Sequence, residues 1–167
     1  MVTLEELFAR IDAEHTPMLS ADPSAIDIVE RTYQCCLPND LKTFYRRYSS
    51  LDLFPSEFGP VYRFVNPTEI RPTWLDILGP NATDPGPNNW LTICDVLDSN
   101  YVAIEVFPYT CDLYKFIDCF HETFALPDES KVIARSFTEL LERALSHGDG
   151  VPYYVLPDFK SYGDAFD

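Results

Sequence analysis

Positive charge is scarce in this chain. Twelve Lys and Arg stand against 27 Asp and Glu among 167 residues, a net charge of −15 with a pI near 4.4. Such a chain repels phosphate backbones and anionic lipid heads, which argues against direct binding of nucleic acid or of a membrane surface. No apolar run approaches the ~20 residues needed to cross a bilayer. The opening Met1-Val2-Thr3-Leu4-Glu5-Glu6 has neither a basic leader nor an apolar signal segment, so a cytoplasmic location is expected. The six glycines are scattered and form no G-x-G-x-x-G phosphate loop, and there is no G-x-S-x-G elbow or H-E-x-x-H pair. Five cysteines, at 35, 36, 94, 111 and 119, contain no C-x-x-C spacing. Adjacent Cys35 and Cys36 cannot close a relaxed disulfide, so all five are read as reduced, small apolar side chains.

Histidine is scarce too, with only His15, His121 and His147. His121 beside Glu122 is the one candidate acid/base pair, but neighbours on a strand point to opposite faces. The carboxylates near the centre of the chain lack the D-x-D-x-D-G spacing of a calcium loop. A glycosidase-like pair among them is possible on composition alone and has no specific signature. No catalytic residue, metal or cofactor is therefore expected.

What the chain does have is apolar and aromatic mass, 46% and 14% of its residues, enough for the core of one domain spanning 1–167. Thr3-Leu4-Glu5-Glu6 is a capping box, and Leu4, Leu7, Phe8 and Ile11 recur at helical spacing to about residue 14. Residues 15–27 read as a connection, with a helical turn or two over 26–34. Pro38 suits the first position of a further helix striped by Leu37, Leu41, Phe44, Tyr45 and Tyr48, and Arg46 and Arg47 complement its C-terminal dipole. After Gly59-Pro60 the pattern becomes extended, with strands expected at 61–65, 90–96, 101–107 and 113–120. A proline-rich loop fills 71–89. The short links between the last three strands permit only antiparallel neighbours. A short apolar run at 132–134 precedes a second capping box, Ser136-Phe137-Thr138-Glu139, and a helix ending at Gly148. Residues 153–156 read as a last extended segment and 157–167 as a frayed acidic tail. The class is α+β: an antiparallel meander with helices packed against one face.

Charge is concentrated on the central strands. Residues 95–128 hold seven acids and one base, Lys115, a net −6, interleaved with Tyr101, Tyr109, Tyr114, Phe116 and Phe120. Aromatics beside acids suit a protein-binding surface, because tyrosine offers large contact area at low entropic cost and acids set register. The same pattern also fits the solvated face of a half-exposed sheet. As a binding surface it would use Asp95, Asp98, Glu105, Asp112, Tyr114 and Asp118, with Trp74 in the 71–89 loop as the next candidate.

Leu37-Pro38-Asn39-Asp40-Leu41-Lys42-Thr43-Phe44-Tyr45-Arg46-Arg47-Tyr48 resembles the "LP-x-D-L-x-x-F-L-x-x-Y" helix of the SUKH superfamily. Residues 61–70 resemble that family's strand and "L-x-E-I" turn, 91–106 its "I-x-x-D…Y-x-A-L-D" strand pair, and 132–145 its "V-A-x-S-F-x-E-F-L-x-x-L" ending. The match runs in order over most of 1–146. The chain departs from the pattern at residues 95–100, where the family often has a glycine-rich turn and this sequence has none. The resemblance implies an immunity protein that binds and neutralises a polymorphic or contact-dependent toxin. Many such toxins are nucleases, and an acidic protein would mimic the nucleic acid that a basic nuclease binds. The alternative it implies is a regulatory interaction module, as in the yeast members, with a housekeeping or signalling partner.

Overall fold

The computed structural model describes residues 2–108, 110–147 and 150–167, with the backbone alone for 110–112. Tyr109, Gly148 and the side chains of Cys111 and Asp112 therefore lie outside the described residues. The elements run α1 (Leu4–Glu14), β1 (Met18–Leu19), α2 (Ala25–Tyr33), α3 (Asn39–Arg47), β2 (Tyr48–Ser56), β3 (Gly59–Phe64), α4 (Thr73–Ile77), β4 (Trp90–Val96), β5 (Asn100–Phe107), β6 (Thr110–Cys119), β7 (Val132–Ala134) and α5 (Phe137–Ser146). The seven strands form one antiparallel sheet in chain order, which is the expected meander.

The helix ends follow local chemistry. Thr3 and Glu6 make the reciprocal capping box at α1. Pro38 stands at the N-cap of α3 rather than inside its first turn, and its carbonyl accepts from the Lys42 N–H at 3.0 Å. At α5 the box is split: the Ser136 hydroxyl accepts from the Glu139 N–H, while the Glu139 carboxylate reaches back to the Arg135 N–H at 2.8 Å. Asp40 joins the two helices. Its Oδ2 accepts from the Thr138 N–H at 2.8 Å and the Thr138 hydroxyl at 2.9 Å, placing a negative charge where the α5 dipole is positive.

One face of the sheet carries the main core, in which Leu41, Phe44, Phe64, Phe116, Phe137 and Leu141 are sealed from solvent. The other face is less open than a half-solvated sheet. Trp90, Ala103, Ile117, Cys119 and Val132 form a second cluster, covered by Ile77 of α4, Phe124, Ala125 and Ala165 of the tail.

Four further expectations about the elements need correction. Strand β2 begins directly at Tyr48, the last residue of the helical stripe; Leu51 and Leu53 alternate inward, but Ser49, Ser50, Asp52 and Pro55 hide the signal. Residues 71–89 are not all loop, since they hold α4. Tyr153–Val155 is a 3-10 turn rather than an extended segment. The tail is not frayed: Val132 and Gly163, Tyr162 and Val132, and Ala165 and Ser130 are joined by backbone hydrogen bonds of 2.8–3.0 Å along the β7 edge. Burial of Ala165 gives this pairing an apolar reason.

The thiols divide. Cys94 and Cys119 are free and buried, as expected, and burial pushes both thiols well above their ordinary range. Cys35 is also free, while Cys36 is disulfide-bonded. Five reduced thiols is thus not the observed state.

The β4–β5 connection, Leu97–Ser99, shows how the chain turns without glycine. Asp98 and Ser99 both take left-handed backbone angles, with φ of 64° and 60°. Such angles cost a serine about 1–2 kcal/mol, and glycine offsets part of that gain by about 0.4–1 kcal/mol through its freer unfolded chain. Ser99→Gly is therefore expected to stabilise the fold by roughly 0.5–1 kcal/mol in urea unfolding. A destabilised variant would show that the serine makes a compensating interaction there.

Candidate functional site

Strand register decides which acids meet. Asp95 lies opposite Arg63 on one side and Tyr101 on the other, so all three share the face away from the main core. Arg63 is drawn to its other neighbour. Its Nε and Nη2 bind both Asp52 oxygens, at 2.9 and 3.1 Å, in a forked pair. The Asp95 carboxyl is raised above the ordinary range, chiefly by burial. Arg63 opposes that rise, and Asp76, Asp52 and Glu69 add to it. Asp76 in turn holds Arg71 and accepts from the Thr92 hydroxyl at 2.7 Å. This end of the sheet therefore gathers four carboxylates around two arginines.

The turn beyond β4 extends that surface. A shallow cavity of about 270 Å³ is lined by Asp95, Asp98 and Tyr101 together with Phe58 and Gly59 of the β2–β3 turn. Phe58 is 83% exposed, an apolar ring beside an acidic hollow. Asp98 also lines a second, larger cleft on the opposite side of the hairpin, of about 530 Å³, together with Asp118 and Phe120. Asp118 pairs in register with Val102 and so faces the helix side of the sheet, not the side of Asp95. Asp95, Asp98 and Asp118 are thus brought to one end of the sheet, on two sides of a single turn.

The remaining candidates lie elsewhere. Glu105 pairs with Trp90 and Lys115 towards the far end of β5. It is only 9% exposed, accepts the Trp90 indole N–H at 3.3 Å and has the Lys115 ammonium 3.8 Å away. The tail closes over it, because Lys115 also donates to the Ala165 and Asp167 carbonyls. Tyr114 is half-buried against the main core. Asp112 lies on β6 near the same end, with its side chain outside the described residues. Trp74 sits on α4, half-buried, its indole N–H donating to Asn88 at 2.9 Å. The acids and aromatics of the expected patch therefore do not form one face.

Sequence reading missed Phe58, Asp52 and Asp76, and missed residues 150–155 as a wall of the larger cleft. Only the Asp52–Arg63 cross-strand pairing had a possible signal, and it required β2 to be recognised first. His121 contacts Asn100: its backbone N–H donates to Asn100 Oδ1 at 3.1 Å, and its ring Nδ1 lies 2.9 Å from the same oxygen. No cluster of metal-ligating side chains occurs among the described residues.

An antiparallel meander with its longer helices on one face and the short α4 on the other, and shallow acidic and apolar hollows at one end of the sheet, defines an α+β domain of the meander class. The family model described as the SMI1 / KNR4 family (SUKH-1) matches residues 20–143, and the chain belongs to that family. It is also 26% identical to the immunity protein YokJ of Bacillus subtilis (strain 168) over 146 residues, 87% of this chain and 86% of that one. No solved structure matches the chain.

Proposed function

We propose that this protein is an immunity protein that acts in the cytoplasm by binding a basic toxin domain, one whose own target is nucleic acid, and that it does so without catalysis. The observation that carries the reading is the kinship with an immunity protein across 87% of the chain. The charge of −15 supports the character of the partner, since an acidic surface steers a basic protein towards it. The paired hollows around Asp95, Asp98 and Asp118, with Phe58 exposed beside them, are the contact surface in this reading. They combine acids that set register with apolar area that holds the complex.

The test is co-expression of this chain with the product of the neighbouring gene, scored by survival, followed by association kinetics of the purified pair. Survival with the chain and death without it is the expected result. The on-rate is expected to fall steeply as salt rises from about 0.05 to about 0.5 M, because exposed charges are screened within roughly 10 Å. Replacing Asp95 and Asp98 together with Asn is expected to slow association about three- to tenfold and to change dissociation less. A salt-independent on-rate, or an unchanged one in the double variant, would move the contact surface elsewhere.

A further inference from the structure

The larger cleft holds a carboxylate that the fold leaves without a partner. Asp118 is mostly buried, and among the described residues its carboxylate accepts no hydrogen bond and joins no ion pair; burial alone lifts its pKa to about 6. Beside it, the Tyr154 hydroxyl is sealed from solvent and also has no hydrogen-bond partner among the described residues. After burial itself, Asp118 is the charge that contributes most to that hydroxyl's own upward shift. The segment carrying Tyr154 is firmly anchored: the Tyr153 N–H donates to the Tyr62 hydroxyl at 2.7 Å, and the Tyr153 hydroxyl donates to the Ile133 carbonyl at 3.0 Å.

The walls around these two groups are apolar and open. Phe120 is 38% exposed and Val155 58%, and both line the cleft. Burying a charge without a partner is costly, and folded proteins ordinarily pair such groups. The base that lines the cleft, Lys131, does not supply the pairing, because its ammonium is held by the Asp128 carbonyl. Asp98 and Glu129, the other charged groups there, are of the wrong sign.

We propose that this cleft is a socket for one arginine or lysine side chain of the partner protein, with Asp118 pairing the cationic head and Phe120 and Val155 packing on the aliphatic stem. The partner's chemistry is argued from charge complementarity: a carboxylate with no cation of this chain paired to it among the described residues, beside exposed apolar walls, matches a long cationic side chain. The identity of the partner as a toxin rests on the reading above, whereas the chemistry of the socket does not. The cost to the free fold is a further consequence. The folded state binds the Asp118 proton more readily than the unfolded chain, so its burial destabilises the protein above about pH 6, and that penalty fades as pH falls towards about 4.

The test uses N-acetyl-arginine amide as a probe, with N-acetyl-leucine amide as the control, followed by amide shifts in the full chain. Saturable shifts confined to residues 96–100, 118–123 and 150–155 are expected from the arginine probe alone. They should weaken as pH falls through about 6, where Asp118 loses its charge; Lys131, Asp98 and Glu129 are the other charged groups that line the cleft. Asp118→Asn is expected to melt higher than the parent at neutral pH and to bind the probe at least about fivefold more weakly. Against the toxin, Asp118→Asn should dissociate roughly tenfold faster. Equal binding of both probes, or unchanged probe binding in Asp118→Asn, would overturn the socket. A parent chain that binds the arginine probe but no toxin would instead overturn the immunity reading and leave the socket standing.

Discussion

Phe44→Ala is expected to destabilise the protein by about 3–5 kcal/mol. Phe44 has no solvent exposure, and its ring is the hub of the main core. It lies 4.9 Å from Phe137 of α5, 5.1 Å from Tyr45, 5.4 Å from Tyr48 at the start of β2, and 5.7 Å from Phe64 of β3. Truncation removes apolar area that joins two helices to two strands, and the surrounding rings are too large to collapse into the space. The measurement is urea unfolding of both proteins with the slope compared. Phe44→Leu should recover part of the loss, because it refills some of the apolar volume that the alanine variant leaves empty. A loss below about 1 kcal/mol for the alanine variant, far under the usual range, would place the ring outside the core.

Trp90→Ala is expected to cost a similar ~3–5 kcal/mol, for a partly different reason. Trp90 is 1% exposed on the face of the sheet opposite the main core. There Phe166 of the tail packs at 5.4 Å and Phe124 meets it edge-on at 6.0 Å. The indole N–H also supplies a hydrogen bond to Glu105, whose other oxygen has no hydrogen-bond partner among the described residues. Removing the ring thus opens a cavity and strips a buried carboxylate of its donor. Trp90→Phe keeps one aromatic ring but loses the N–H and part of the indole volume, so it should cost less than Trp90→Ala while still carrying the ~1–3 kcal/mol of a buried acceptor left unsatisfied. Release of the tail in Trp90→Ala, seen as faster amide exchange at Tyr162 and Ala165, is the accompanying result. Protection unchanged at those amides would mean that the β7 pairing alone holds the tail.

These two residues mark the difference between the faces. Phe44 lies in a helical stripe whose 3.6-residue period is visible in the chain, so its burial follows from local pattern alone. Trp90 opens a recognisable strand, but nothing local indicates that its outward side is covered. The cover comes from Phe124, Ala125, Ala165 and Phe166, which lie more than thirty residues along the chain in segments without periodic pattern.

The amino-acid sequence by itself determined α1, α3 and α5, the antiparallel order of β4, β5 and β6, and the acidic character of the molecule. Each of these rests on local physics: capping residues, 3.6-residue periodicity, links too short for a crossover, and summed charge. The four motifs in register were likewise enough to point to the family that residues 20–143 match. Tertiary structure alone decided which acids share a surface. Residues 95–128 look continuous in the chain, yet pairing register turns Asp95 to one face and Asp118 to the other, and packing buries Glu105 under the tail. Side chains on a strand alternate, and a bulge such as the register shift between Thr92 and Cys94 changes the alternation in a way that composition does not record. For the same reason the cleft around Asp118 is invisible in the chain: its other wall, residues 150–155, arrives from beyond α5, and only the folded core brings the Tyr154 hydroxyl to the carboxylate.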